Sequence, residues 1–151
     1  MITGVLCFIV KDGKVLLAMK KRGFGEGWWN GPGGKPQEGE EIIDALYREM
    51  REEVGIIPQN PIQHGTLNFF FEDGTADWQV HVFRAEDYDG ETAESEEMRP
   101  AWFAVEDVPY GEMWADDPHW LPLLLAGKRF EGSFTFRDNH TLISYEIREI
   151  S

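Results

Sequence analysis

The 151-residue chain has one cysteine, half as many basic as acidic residues, and no long apolar run. Each shortage removes a class of explanation. Cys7 has no intramolecular disulfide partner, and its setting in VLCFIV reads as core. With 14 Lys and Arg against 28 Asp and Glu, the net charge is −14. Nucleic acid polymers and anionic membranes are bound by clustered cations that release counterions, so neither is expected as a partner. A small anionic ligand stays open, provided a metal ion brings the local positive charge. No stretch approaches the roughly 18 apolar residues of a membrane span. The run Val5 to Val10 is too short for a signal peptide and turns into a hairpin. Repeats, linkers and a second domain are also missing. The four histidines (64, 81, 119 and 140) lack metal-ligand spacing, and His81 lies inside a strand pattern as a half-core residue. One domain over 1–151 is expected, in a reduced, soluble, cytoplasmic protein that is a monomer.

What is present is aromatic and glycine-rich. Six Trp and ten Phe leave no doubt that the chain can build a core. Gly4 to Val10 and Val15 to Met19 flank an Asp-Gly turn and predict a hairpin. Residues 23–39 hold seven glycines and two prolines, a long loop of the kind that is usually functional. From about Glu40 to Val54 the pattern is helical, with Ile43, Leu46, Tyr47, Met50 and Val54 on one stripe and Gly55 as the stop. Leu67 to Phe71 and Trp78 to Phe83 read as strands around Glu72-Asp73-Gly74. An acidic loop, Glu86 to Glu97, leads to a strand at Ala101 to Val105. A second helix over Pro118 to Ala126 and strands near 133–136 and 142–147 complete an α+β chain with two helices.

The segment REMREEVG, residues 48–55, gathers Glu49, Glu52 and Glu53 at i, i+3 and i+4. Like charges at that spacing repel by a few tenths of a kcal/mol per pair. On a helical wheel they centre roughly 120° from the apolar stripe and so do not compete with the core face. Two readings follow: a solvated face with an Arg48–Glu52 ion pair, or a platform for a doubly charged cation.

The wider string decides between them. Gly34-x5-Glu40-x7-Arg48-Glu49-x2-Glu52-Glu53-x-Gly55 resembles the Nudix box at every fixed position, seven specified residues over 22. The resemblance implies a Nudix fold, an α/β/α sandwich with a mixed sheet between helices and a loop–helix–loop motif. It also implies Mg²⁺ as cofactor, with Mn²⁺ as a substitute. By that resemblance Glu52 and Glu53 are metal ligands, Glu49 is a ligand or holds the water network, and Arg48 orients a glutamate. Gly33 and Gly34 let backbone approach the ion. Glu40 is a favourable residue at the helix start or part of the catalytic network, and Glu97 is a further ligand or base. The physics agrees, since a phosphate chain cannot approach three glutamates without divalent cations between them.

Further stretches, GFGEGWWNGPGGKPQEGE, EEMRPAWF, MWADDPHWLPLLL and FEGSFTF, are similar to the oxidised purine nucleoside triphosphatases of that family. The similarity runs from about residue 5 to the end. It implies hydrolysis of modified purine nucleotides such as 8-oxo-dGTP to the monophosphate and pyrophosphate, with Asn30, Asp116 and Asp117 at the purine edge. The same Asp116-Asp117-Pro118 string also reads as a helix N-cap. Phe24, Phe69, Phe71, Trp78 and Trp114 are candidates to wall the base, and Lys20 and Lys35 to touch phosphate or the loop. One departure stands out: Trp78 takes a position where methionine is expected in the mammalian members. Rival readings are a Nudix enzyme for ADP-ribose, dinucleoside polyphosphates or unmodified dNTPs, and a silent nucleotide sensor.

Overall fold

The computed structural model describes residues 1–151. Eleven strands and two helices follow the chain: β1 Ile2–Lys11, β2 Lys14–Lys20, β3 Trp29–Asn30, β4 Gly33–Gly34, α1 Ile42–Val54, β5 Ile56–Gln59, β6 Ile62–Phe71, β7 Trp78–Ala85, β8 Asp87–Gly90, β9 Met98–Ala104, α2 Asp117–Leu125, β10 Arg129–Asp138 and β11 Thr141–Ile150. The principal sheet runs β11-β10-β6-β7-β1-β2-β3, with β4 on β1 and β9 on β2. It is mixed, because β1 lies parallel to β7 and β6 parallel to β10.

The sheet separates two cores, and β1 alternates between them with the strand period of two. Val5, Cys7 and Ile9 turn toward α1, where Leu46, Met50, Val54 and Ile56 are fully enclosed. Phe8 turns the other way, toward Trp120, Leu121 and Leu124 of α2 and the phenyl rings of β10. Each such buried side chain contributes about 1.5–3 kcal/mol, so the two helices are clamped to opposite faces. This is the α/β/α sandwich that the box implies.

Several expectations are corrected. The hairpin is only a tip: β1 and β2 pair at Val10–Val15 and Lys11–Lys14, and β2 then leaves to pair with β9. The glycine-rich loop contains β3 and β4, and the acidic loop contains β8, which pairs with β5. β5 and β8 are short, and Pro58 sits inside β5, so neither carries a periodic signal. β9 begins at Met98, and β10 and β11 extend well beyond their apolar centres. α1 starts at Ile42 rather than Glu40, and α2 spans Asp117–Leu125.

The face of α1 also differs from the apolar stripe. Ile43 is exposed, whereas Ala45 and Glu53 are buried. β4 docks on Val5 and Leu6 and lies over the two glutamates, with Gly34 against Glu49 and the Gly33 amide on Glu53. Of the three glutamates only Glu52 remains on a solvated face, its side chain 59% exposed. Gly55 stops the helix in the left-handed region at φ 80° and donates to the carbonyls of Met50 and Arg51.

Candidate active site

A cavity of about 490 Å³ opens between β4, the sheet face of β1, β6 and β7, and the start of α2. Glu49 and Glu53 stand at one end, and Asn30, Asp116 and Asp117 line it too. Phe24, Phe69, Phe71, Trp78, Trp114, Lys20 and Lys35 all contribute wall, as expected from the sequence. Trp28, Met98 and Trp120 were not anticipated; the doubled Trp28-Trp29 inside a glycine-rich loop was the available signal for the first.

At the carboxylate end, the glycines matter for space. A Cβ on Gly34 would stand 2.5 Å from Glu49 Cδ, and one on Gly33 would meet the Val5 carbonyl oxygen at 1.9 Å. Only bare backbone lets β4 lie between α1 and β1. The Gly33 amide donates to Glu53 Oε2 at 3.3 Å. Burial pushes the Glu53 carboxyl up to about 8, with the neighbouring Glu49 charge as the second cause and the Gly33 amide opposing both. Lys20 is a further cation that favours Glu53 in its charged form.

Arg48 organises this end. Its Nε and Nη2 donate to Glu40 at 2.9 Å each, Nη1 to Glu49 at 2.8 Å, and Nη2 also to the Lys35 carbonyl at 3.1 Å. Its contact to Glu52 is longer, 3.4 Å, so the solvated i, i+4 pair is the weakest of its links. Glu40 also accepts from the Gln37 amide at 2.9 Å, and Arg48 holds its carboxyl below the usual range. Glu40 thus ties the loop to Arg48 before the helix begins.

The donor set fits a hydrated divalent cation. Two carboxylates, one of them buried with its pKa raised by burial and by the other's charge, face a cradle that a side chain on Gly34 would fill. No three acidic, histidine or cysteine side chains close around a point by themselves. An ion there would be held from one side and would keep positions for water and phosphate oxygens, the habit of Mg²⁺.

Two expected ligands stand apart. Glu52 does not line the cavity. Glu97 does not either: Arg22 grips its carboxylate at 2.7 and 3.0 Å and holds its pKa low, while the next residue, Met98, is the one on the wall. A short exposed loop with several cations opposite it favours ion pairs over the cavity.

At the other end, Asp116 and Asp117 are each only 3% exposed. Burial raises both carboxyls, and the Asp116 charge raises Asp117 further. Trp120 Nε1 donates to Asp116 Oδ2 at 2.7 Å, but Asp117 Oδ2 is buried with no partner. Asp116 is the N-cap residue of α2 and Asp117 its first residue, as the N-cap alternative has it, but neither aspartate caps the helix through its side chain, which leaves both carboxyls to the cavity. The Gly31 amide donates to Asn30 Oδ1 at 2.8 Å, which fixes the amide plane and leaves its NH₂ on offer. Trp114, also on the wall, packs tilted against Phe24 at 5.1 Å and edge-on to Trp28 at 5.3 Å. Phe69 and Phe71 lie on Phe134 and Phe136 at 5.6 and 5.5 Å, so each is both wall and core. His81 is satisfied by Gln63 at 2.8 Å and takes no part.

The NUDIX domain model matches residues 2–124. An oxidized purine nucleoside triphosphate hydrolase of Danio rerio is 47% identical over 145 residues, 96% of this chain and 93% of the relative. Its Mus musculus counterpart is 46% identical over the same shares. Among solved structures, a MutT protein from Bacillus halodurans superposes with a TM-score of 0.87 at 31% identity, covering 97% of both chains.

Proposed function

The chain belongs to the NUDIX domain family, and from that premise we propose that it is a Mg²⁺-dependent hydrolase of oxidised purine nucleoside triphosphates, yielding a monophosphate and pyrophosphate and clearing damaged nucleotides from the pool. The unpartnered, buried Asp117 Oδ2 carries this reading. An unsatisfied buried acceptor costs about 1–3 kcal/mol, and a purine edge offering N–H donors would recover it. Asp116 and Asp117 can differ in protonation, so the pair can accept one hydrogen bond and donate another. The relatives at 46–47% identity carry the matching activity in their names.

The rest of the cavity suits the remainder of such a substrate. The aromatic walls take a planar base. Lys20 and Lys35 are the cations on the wall that would meet phosphate oxygens. Glu49 and Glu53 would hold the metal, with Arg48 fixing Glu49 and the Gly33 amide fixing Glu53. When bound, the cation supplies charge neutralisation on the phosphates and a more acidic water. Glu53 would serve as a ligand only in its ionised form, so metal binding would strengthen as pH rises toward 8. Mn²⁺ meets the same oxygen set. The protein would act as a cytoplasmic monomer on free nucleotides, and a net charge of −14 disfavours nucleic acid polymers. No helix is long and apolar enough to cross a membrane.

The test is ³¹P NMR of 8-oxo-dGTP turnover with Mg²⁺. Appearance of pyrophosphate with the monophosphate, abolished by EDTA, is expected. Release of inorganic phosphate, or binding without turnover, would refute the assignment.

A further inference from the structure

Gly4 is a mid-strand glycine without a backbone reason. It sits in β1, buried, paired in regular parallel register with Val80. It is absent from the set of glycines with positive φ. Glycine in a strand interior costs chain entropy and usually marks a close approach. The approach here is Trp78. A Cβ on Gly4 would stand 3.3 Å from Trp78 Cε3 and Cζ3, and 3.5 Å from Val80 Cγ2. The indole therefore leans from the start of β7 across the place where a β1 side chain would lie.

Both residues line the cavity. Cross-strand pairing puts Trp78 beside Phe69, and chain order puts Gly4 next to Val5, whose partner is Gly34 of the carboxylate end. Lys35 adds a second constraint, its Nζ lying 5.9 Å from the centroid of the same ring. Lys35 is itself tethered, because its carbonyl accepts from Arg48. The indole is thus bordered both by Gly4 and by a cation from the carboxylate loop.

We propose that Gly4 is a specificity-determining positioning residue: it touches no reacting group, and acts by letting Trp78 lie back against the sheet so that the cavity keeps room for an enlarged purine. The proposal rests on the functional reading above. A side chain at position 4 would tilt the ring into the cavity, and the bulkiest bases would lose most. The effect must vanish when the ring is removed, which a merely structural role for Gly4 would not require.

The experiment is a double-mutant cycle of Gly4→Val and Trp78→Met, read as KM and kcat with 8-oxo-dGTP, dGTP and ADP-ribose, with thermal midpoints measured for all four proteins. Valine suits a strand, so Gly4→Val should fold. In the Trp78 background it is expected to raise KM for the best substrate at least tenfold with kcat changed less than threefold. In the Trp78→Met background the same substitution is expected to change KM less than twofold. Equal KM effects in both backgrounds would overturn the proposal, as would a fall in kcat at constant KM. If ADP-ribose is the best substrate, the functional reading fails, and the cycle read on ADP-ribose still decides the coupling.

Discussion

Replacing Glu53 by glutamine should make the ion-free protein more stable at high pH while ending its activity. In the fold this carboxyl keeps its proton to about pH 8, whereas its ordinary value is 4.5. Between those values the folded state holds more protons than the unfolded chain, so stability falls as pH rises from 4.5 through 8. At 1.36 kcal/mol per unit the whole shift has a ceiling of about 5 kcal/mol. Relaxation and water entry around the ionised carboxyl reduce the realised penalty to about 2 kcal/mol. Glutamine is neutral, nearly isosteric, and keeps an oxygen to accept from the Gly33 amide. Thermal denaturation followed by circular dichroism in EDTA should give matching midpoints for wild type and Glu53→Gln at pH 5. At pH 9 the variant should melt about 4–8 °C higher, at 2–4 °C per kcal/mol for a chain of this size. Adding Mg²⁺ at pH 9 should raise the wild type by mass action and leave the variant unmoved. Parallel pH profiles for the two proteins in EDTA would refute the reasoning, because Glu53 would then be ionised at no cost.

Other consequences follow from single contacts. Arg48→Ala removes the partner of both Glu40 and Glu49 and should lower kcat by about 10²-fold with KM within a few-fold, the pattern of a positioning loss; steady-state kinetics decides it. Trp120→Phe strips the 2.7 Å donor from buried Asp116 and should cost about 1–3 kcal/mol in urea denaturation, with the unfolding slope unchanged. Asp117→Asn should shift the ratio of kcat/KM between 8-oxo-dGTP and dGTP by tenfold or more; an unchanged ratio would remove Asp117 from base reading. Glu97→Gln should lose at least tenfold less kcat than Glu53→Gln, since Arg22 holds Glu97 away from the cavity wall; equal losses would bring Glu97 into the reaction.

The fold and the carboxylate end were legible where chemistry is local. The spacing from Gly34 to Gly55 located α1, its stop and the glutamates, because a helix fixes which side chains share a row. Asp116 and Asp117 were singled out only through resemblance to a family, since the string through Pro118 reads as a helix start, which it also forms. Long-range pairing was not legible. Nothing in residues 33 and 34 announces that they form a strand on β1, yet that strand lies over Glu49 and hydrogen-bonds the buried Glu53. The same blindness placed Glu97 at the site, because its partner Arg22 lies 75 residues away in sequence. It also hid Gly4, whose role depends on a tryptophan from another strand.

Hydrolysis of oxidised purine nucleotides is best examined through kcat/KM for 8-oxo-dGTP, 2-oxo-dATP, O6-methyl-dGTP, dGTP and ADP-ribose, measured as pyrophosphate or phosphomonoester release with Mg²⁺. At least a tenfold preference for an oxidised purine over dGTP is expected, about 1.4 kcal/mol of transition-state discrimination. Faster turnover of ADP-ribose or plain dGTP would contradict it: the carboxylate chemistry would stand, and the purine pocket at Asn30, Asp116 and Asp117 would not.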